Sequence, residues 1–230
     1  MERPLRPPRP LRPRLYYRTY PNGSLRLISL RHRQWLRSSH RYWSRGSGGF
    51  LDIIARRELR AAAGLLSAYC AYHEGWTLDL GAGSGGVWLF SSPPQKLIAL
   101  DFAPRTASPE TYPHRLTADA AILPLKKGSI TTILALGLLE YLGNLESALC
   151  EWRRVCNPEA RLLISNSPPS IPNRVRKWIG FGAVPRSDAE IEDALFRLGW
   201  RVIENSRRRA GWQSMLVAEP VAILENTCAA

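Results

Sequence analysis

The segment Leu78-Asp79-Leu80-Gly81-Ala82-Gly83-Ser84-Gly85-Gly86 narrows the folds open to this chain more than any other. An apolar run meets an acid, and glycines then recur at positions 81, 83 and 85. Glycine at 81 and 83 lets the backbone turn sharply and approach a ligand that a Cβ would obstruct. A helix expected next, over residues 84–91, would aim its free N–H groups at that ligand. The segment reads as a strand, a cradle for a nucleotide-type ligand, and a helix.

The rest of the chain supplies a sheet to hold that cradle. Apolar patterning predicts strands at 76–80, 96–101, 114–118, 130–136, 160–166, 199–205 and 212–219. Helices are expected between several of them, at 84–91, 144–155 and 187–198. The last opens on Ser187 with Glu190 three residues on, a capping box, ahead of an apolar face at Ile191, Leu195 and Phe196. Alternation of this kind implies an α/β fold, a mostly parallel sheet with helices on both faces. Upstream, Phe50 to about Tyr72 has helical apolar spacing at Leu51, Ile54, Leu59, Ala63 and Leu66. Pro21-Asn22-Gly23-Ser24 separates Leu15–Tyr20 from Leu25–Leu30 and predicts a small hairpin. Arg31–Trp43 reads as helical, and Ser44–Gly49 as a flexible joint.

Charge is distributed unevenly. Residues 1–60 hold fifteen arginines and three acids (Glu2, Asp52, Glu58), a balance of +12 out of a total of +13. The first fourteen residues alternate Pro with Arg, which opposes a helix and predicts an extended arm. A basic arm suits an anionic partner, a membrane surface or RNA. A solvated tail fits as well, because an arginine bias also follows from a GC-rich coding sequence. Nothing approaches the roughly 18 consecutive apolar residues of a membrane span. Cys70, Cys150, Cys156 and Cys228 show no metal-type spacing and read as reduced thiols, which implies no metal site and a cytoplasmic protein, with the basic arm allowing a peripheral place at a membrane surface.

Gly81, Gly83 and Gly86 also satisfy G-x-G-x-x-G, a weak signal for dinucleotides taken alone. Three acids argue against a nicotinamide. Asp79 directly precedes the glycines, Asp101 ends the next strand (Leu97-Ile98-Ala99-Leu100-Asp101), and Asp119 ends the one after. A ligand with a ribose, an adenine and an amino-acid part would use all three. A strand-end carboxylate takes two ribose hydroxyls, one a strand over accepts from an adenine amino group, and one beside the loop suits an ammonium.

These pieces resemble the class I S-adenosylmethionine-dependent methyltransferases, type 11 group, which includes quinone and small-molecule methyltransferases. The matching stretches are LDLGAGSGG (78–86), LIALDFAP (97–104), TADAAILPLKKGSI (117–130), ILALGLLEYL (133–142), LESALCEWRRVCNPEARLLIS (145–165) and SDAEIEDALFRLGWRVIE (187–204). The resemblance implies a Rossmann-like, doubly wound sheet of seven strands with the last antiparallel. It implies S-adenosyl-L-methionine as cofactor, with Asp79, Gly81, Ala82 and Gly83 at its methionine part. Asp101 would bind the ribose hydroxyls with Phe102 against the adenine. Asp119 would face the adenine amino group, with Ala120 donating a backbone N–H. Leu136 and Gly137 would lie near the methionine end. The chain would divide into an arm (1–14), a lid or substrate segment with a helix (15–75) and a methyltransferase core (76–230).

The sequence departs from the group's pattern at four places. Ile130-Thr131 replaces Phe-Asp, Glu140-Tyr141 replaces Glu-His, and Pro158-Glu159-Ala160 replaces a Pro-Gly-Gly turn. Pro104, Pro109 and Pro113 crowd the stretch between Asp101 and Asp119, so the helix normally there is truncated or absent. Methyl transfer from a sulfonium is an in-line displacement that alignment and desolvation can drive, so no catalytic signature is expected. Tyr141 is the candidate for touching substrate, with a packing aromatic as the rival reading, and Glu140 for capping or orienting the loop. His40, Tyr42 and Trp43 are candidates for lining a substrate pocket. Leu136-Gly137-Leu138-Leu139 stands where enzymes acting on exocyclic base amines often carry Asn/Asp-Pro-Pro-aromatic. The expected function is methyl transfer to a small-molecule or lipid-like acceptor. An RNA or ribosomal-component methyltransferase using the arginine-rich arm, and a non-catalytic cofactor-binding protein, are the alternatives.

Overall fold

A computed structural model describes residues 17–19, 25–27, 50–70, 75–83, 85–101, 111–171, 173 and 184–221. The Pro/Arg arm, the Arg31–Trp43 and Ser44–Gly49 segments, Ser84 and Phe102 lie outside these residues, as does the Pro104–Pro109 stretch.

Two short strands, β1 (Tyr17–Thr19) and β2 (Leu25–Leu27), pair antiparallel with Arg18 opposite Arg26, which is the expected hairpin. Helix α1 (Phe50–Tyr69) follows. Then come β3 (Trp76–Leu80), β4 (Leu97–Asp101), β5 (His114–Thr117), β6 (Ile130–Ala135), α2 (Leu145–Val155), β7 (Cys156–Asn166), α3 (Asp188–Arg197), β8 (Trp200–Val202), β9 (Arg208–Ala210) and β10 (Gln213–Pro220). The main sheet runs β5-β4-β3-β6-β7-β10-β8, with β9 paired to β10. Pairs from β5 through β7 are parallel, and β10 is antiparallel to β7, β8 and β9. The antiparallel last strand is as expected. The sheet has eight strands rather than seven, because Arg208–Ala210 folds back through a tight turn onto β10.

Side chains alternate between the two faces with the period of a pleated strand. Leu78, Leu80, Ile98, Leu100, Ile133, Leu162, Ile164 and Leu216 face α2 and α3, meeting Leu149, Trp152, Ile191 and Leu195 in one core. Leu134, Leu163, Met215 and Val217 face the other way, onto Ala62, Leu65 and Leu66 of α1. Each such fully buried aliphatic side chain contributes about 1.5–3 kcal/mol. Trp152, wholly buried, also donates its indole N–H to the Ala120 carbonyl at 2.8 Å.

The helix ends are sealed locally. Asn144 accepts the Ser147 N–H at the start of α2. Ser187 and Glu190 form the expected capping box on α3. The apolar face of α3 differs from expectation at one position. Ile191 and Leu195 are buried, but Phe196 is 81% exposed and Ala194 takes its place. Five residues separate Ile191 from Phe196, which puts them about 140° apart on a helix of 3.6 residues per turn, whereas Ala194 lies on the Ile191 side. At the entry to β7 the Pro-Gly-Gly-type turn is absorbed into the strand: the β6–β7 register slips between Ile130–Cys156 and Thr132–Arg161. Pro158 sits in that irregular stretch, where a missing N–H costs no ladder bond. Among the described residues, Cys70 and Cys156 form no disulfide and are buried. Burial pushes Cys70 and Cys156 up to about 12, so both act as core side chains. No described helix is long and apolar enough to cross a membrane.

Candidate functional site

In this strand order the chain runs outward from β3 through β4 to β5, then returns to the other side of β3 with β6. The loops leaving the carboxyl ends of β3 and β6 therefore diverge and leave a crevice, the place where open α/β sheets bind ligands.

The β3 loop builds one wall. Gly81 and Gly83 have φ of +66° and +51°, left-handed values that an L side chain resists. The Gly81 N–H donates to the Leu100 carbonyl at 2.8 Å, tying the loop to β4. Among the described residues, a Cβ on Gly83 would meet only the Gly81 carbonyl, at 3.8 Å. A Cβ on Gly81 would approach Leu138 at 3.1 Å, so the loops after β3 and β6 touch here. The helix expected at 84–91 is not formed. Its place holds one 3₁₀ turn, Gly86–Leu89, after Gly85 in a left-handed conformation. Ser91-Ser92-Pro93-Pro94 follows at once, and the prolines leave room for no second turn.

The three acids sit at the ends of adjacent strands or just beyond, and each is engaged. Asp101, half-buried, accepts the Gly83 N–H on Oδ2 at 3.0 Å. Asp119 accepts the Ala121 N–H on Oδ1 at 2.9 Å, and its carbonyl accepts the Ile122 N–H at 2.9 Å, so the acid anchors its own turn. The Ala120 carbonyl is held by Trp152. Asp79 is the most enclosed, at 4% exposure. Tyr112 donates its hydroxyl to Asp79 Oδ2 at 2.5 Å, and the Trp88 indole N–H lies 2.8 Å from the Tyr112 oxygen and 3.2 Å from the same Asp79 oxygen. Burial raises the Asp79 carboxyl to about 6, against the two donors, and the neighbouring Asp101 charge adds to the rise. Tyr112, wholly buried beside that charge, is shifted above the ordinary phenol range.

The β6 side supplies the opposite wall. Leu136 is half-buried and packs toward α1, and the Gly137 N–H donates to Ser165 at 2.8 Å. Leu139–Tyr141 forms a single 3₁₀ turn with Tyr141 half-buried at its end. Glu140 points inward at 2% exposure, accepting from the Ser167 hydroxyl at 2.9 Å and the Gln213 amide at 3.4 Å. Arg186 clamps this turn through the Leu139 and Leu142 carbonyls. The capping or orienting part read for Glu140 thus takes the form of a buried tie between the ends of β6, β7 and β10.

Of the residues singled out in the sequence, the structure gathers Asp79, Gly81, Ala82, Gly83 and Asp101 around one loop and sets Asp119 and Ala120 one strand beyond. Leu136 and Tyr141 lie past β6, and Phe102 is outside the described residues. Tyr112, Trp88, Ser167 and Gln213 carry polar contacts that the sequence reading did not single out. The one signal was Gly85: a Cβ there would come within 2.7 Å of the Tyr112 ring.

The strand order, the antiparallel last strand and a glycine loop backed by strand-end acids are those of the class I methyltransferases. Residues 78–164 match the family model described as a methyltransferase domain, so this segment is a methyltransferase domain. Magnesium protoporphyrin IX methyltransferase from Synechocystis PCC 6803, with bound SAH, superimposes with a TM-score of 0.62 at 17% identity, over 81% of this chain and 94% of that one. A chain of the complex between the Haloferax volcanii Trm112 methyltransferase activator and the putative methyltransferase gives 0.67 at 14% identity, over 84% and 99%. Burkholderia thailandensis 1,6-didemethyltoxoflavin-N1-methyltransferase gives 0.60 at 15%, over 83% and 89%. At these identities the likeness is one of fold. Among curated proteins none matches the sequence.

Proposed function

We propose that the chain transfers the methyl group of S-adenosyl-L-methionine to a small-molecule or lipid-like acceptor. The observation that carries this reading is the glycine loop itself. Two left-handed glycines leave the space beside Gly83 clear of side chains among the described residues, and the Gly83 N–H is fixed by Asp101, with Asp79 beneath and Asp119 one strand over. Three carboxylates around an open cradle fit a cationic ligand that carries hydroxyls and an amino-purine, and disfavour one that carries phosphates. Similar folds include proteins with bound SAH, and two are named for magnesium protoporphyrin IX and 1,6-didemethyltoxoflavin methylation.

In this reading Asp79, Gly81, Ala82 and Gly83 hold the methionine end, the last three through backbone and Asp79 from beneath the loop. Asp101 accepts the ribose hydroxyls. Its Oδ2 already takes the Gly83 N–H, and a carboxylate oxygen accepts more than one hydrogen bond, so loop and ribose share it. Asp119 and the Ala120 N–H read the adenine edge, with Phe102 against its face. Leu136 borders the reacting end, and Tyr141 meets the acceptor. The cofactor, when bound, supplies a methyl group already activated on a sulfonium. The residues of the chain align the acceptor in line and exclude water, which is most of what this displacement needs.

A second reading draws on the arginine-rich N-terminus, with fifteen arginines in the first sixty residues: the acceptor is RNA or a ribosomal component gripped through phosphates. Incubation with methyl-labelled S-adenosylmethionine and fractionated extract separates the two. Label in the small-molecule or lipid fraction, lost with Asp101→Ala, is the expected result. Label confined to RNA, with uptake falling steeply with salt, supports the second reading. Cofactor binding without transfer to any fraction marks a binding protein of the same fold.

A further inference from the structure

The contacts around Asp79 go beyond what the cofactor reading requires. A carboxylate in direct contact with the methionine part would face the crevice. Here it is 4% exposed, and its Oδ2 is taken from below by two aromatic donors on different segments, Trp88 on the 3₁₀ turn and Tyr112 ahead of β5. The two donors also bond to each other at 2.8 Å, so acid, phenol and indole form a closed triangle under the glycine loop. The loop is shaped to admit it. A Cβ on Gly85 would lie 2.7 Å from Tyr112 Cε2 and 3.0 Å from its hydroxyl oxygen, so the ring fits only against glycine. Tyr112 is wholly buried and packs with Ala82, Leu97, Ala99 and Trp88.

We propose that Tyr112 and Trp88 are positioning residues of the cofactor site: by fixing the Asp79 carboxylate from beneath, they hold the glycine loop in the shape that receives the methionine end of the cofactor. This rests on the S-adenosylmethionine reading. Among the described residues, the groups that act on Asp79 are Tyr112, Trp88 and the carboxylate of Asp101, and none of them is cationic. A buried acid beside a second acid is most at ease when a positive charge arrives nearby, and the sulfonium and ammonium of the cofactor bring two. Cofactor affinity therefore falls as pH drops through the Asp79 range near 6, where the carboxylate takes up a proton. The Tyr112 and Trp88 donors favour the ionised form, so removing one moves that fall to higher pH.

The test is calorimetric titration of S-adenosylmethionine into wild type, Tyr112→Phe, Trp88→Phe and Asp79→Asn from pH 5 to 9, with thermal melting of each. Tyr112→Phe keeps the ring and deletes only the donor. It should weaken binding about 10-fold at pH 7, move the midpoint of the pH dependence upward, and approach wild type at pH 9. Trp88→Phe should do the same to a smaller extent, and Asp79→Asn should flatten the profile. A Tyr112→Phe protein with the wild-type dissociation constant and midpoint overturns the inference. So does one that melts earlier and binds worse by the same factor at every pH, because that is the mark of a purely structural ring. Wild type that binds no S-adenosylmethionine overturns the cofactor reading instead.

Discussion

At the end of β4, Asp101 holds the Gly83 N–H at 3.0 Å and is the residue proposed to take the ribose hydroxyls. Truncation removes both interactions at once. Asp101→Ala should raise the dissociation constant for S-adenosylmethionine about 100-fold, read by calorimetry, while Asp101→Asn, which keeps an acceptor oxygen, should fall between the two. Asp79 makes a second prediction, on stability without any ligand. Its folded pKa is raised from 3.8 to about 6, so the folded state binds the proton more tightly than the unfolded chain. The resulting stability is present in full below the unfolded value and is lost as pH rises through about 6, a span of about 3 kcal/mol at most. Denaturation of wild type against Asp79→Asn from pH 4 to 8 should show wild type gaining on the variant as pH falls. Both acids were legible in the sequence, because each ends or nearly ends an apolar run beside a recognisable turn. Tyr112 was not. It lies in a proline-broken stretch with no period, and only the fold brings it to a carboxylate 33 positions away.

Elements with a strong period and a local stop signal were read with small errors at their ends. Helix α3 is one: Ser187 and Glu190 satisfy each other's backbone N–H groups, as their spacing announced. Ser187→Ala should cost about 1 kcal/mol, seen as a lower denaturation midpoint with an unchanged slope. The segment after the glycine loop was misread as a helix because its pattern is consistent with one over a few residues. A single turn fixes many dihedrals for few hydrogen bonds, and the prolines at 93 and 94 deny it the length that would repay them. The β9–β10 return was also missed, since Arg208-Arg209-Ala210 carries no strand alternation. Its pairing is a property of β10, which offers an edge to it.

On the scale of the whole molecule the sheet is unevenly covered. The β6–β7–β10 centre is packed on one face by α2 and α3 and on the other by α1. Among the described residues, the β3–β4–β5 end has only the small cluster of Ala82, Leu97, Ala99, Tyr112 and Trp88 on its second face, and β5 pairs with β4 alone, with His114, Arg115 and Thr117 exposed. Amide exchange should therefore be fastest along β5 and the glycine loop and slowest in β7 and β10. Added S-adenosylmethionine should slow the first set and leave the second unchanged. The seat proposed for the cofactor and the most thinly covered part of the described sheet are thus the same place. A ligand spanning the ends of β3, β4 and β5 staples an edge that little else secures, and proteases act on edges that open. The lifetime of this protein in a cell would then follow the supply of its methyl donor, lengthening when the donor is abundant and shortening when it runs low.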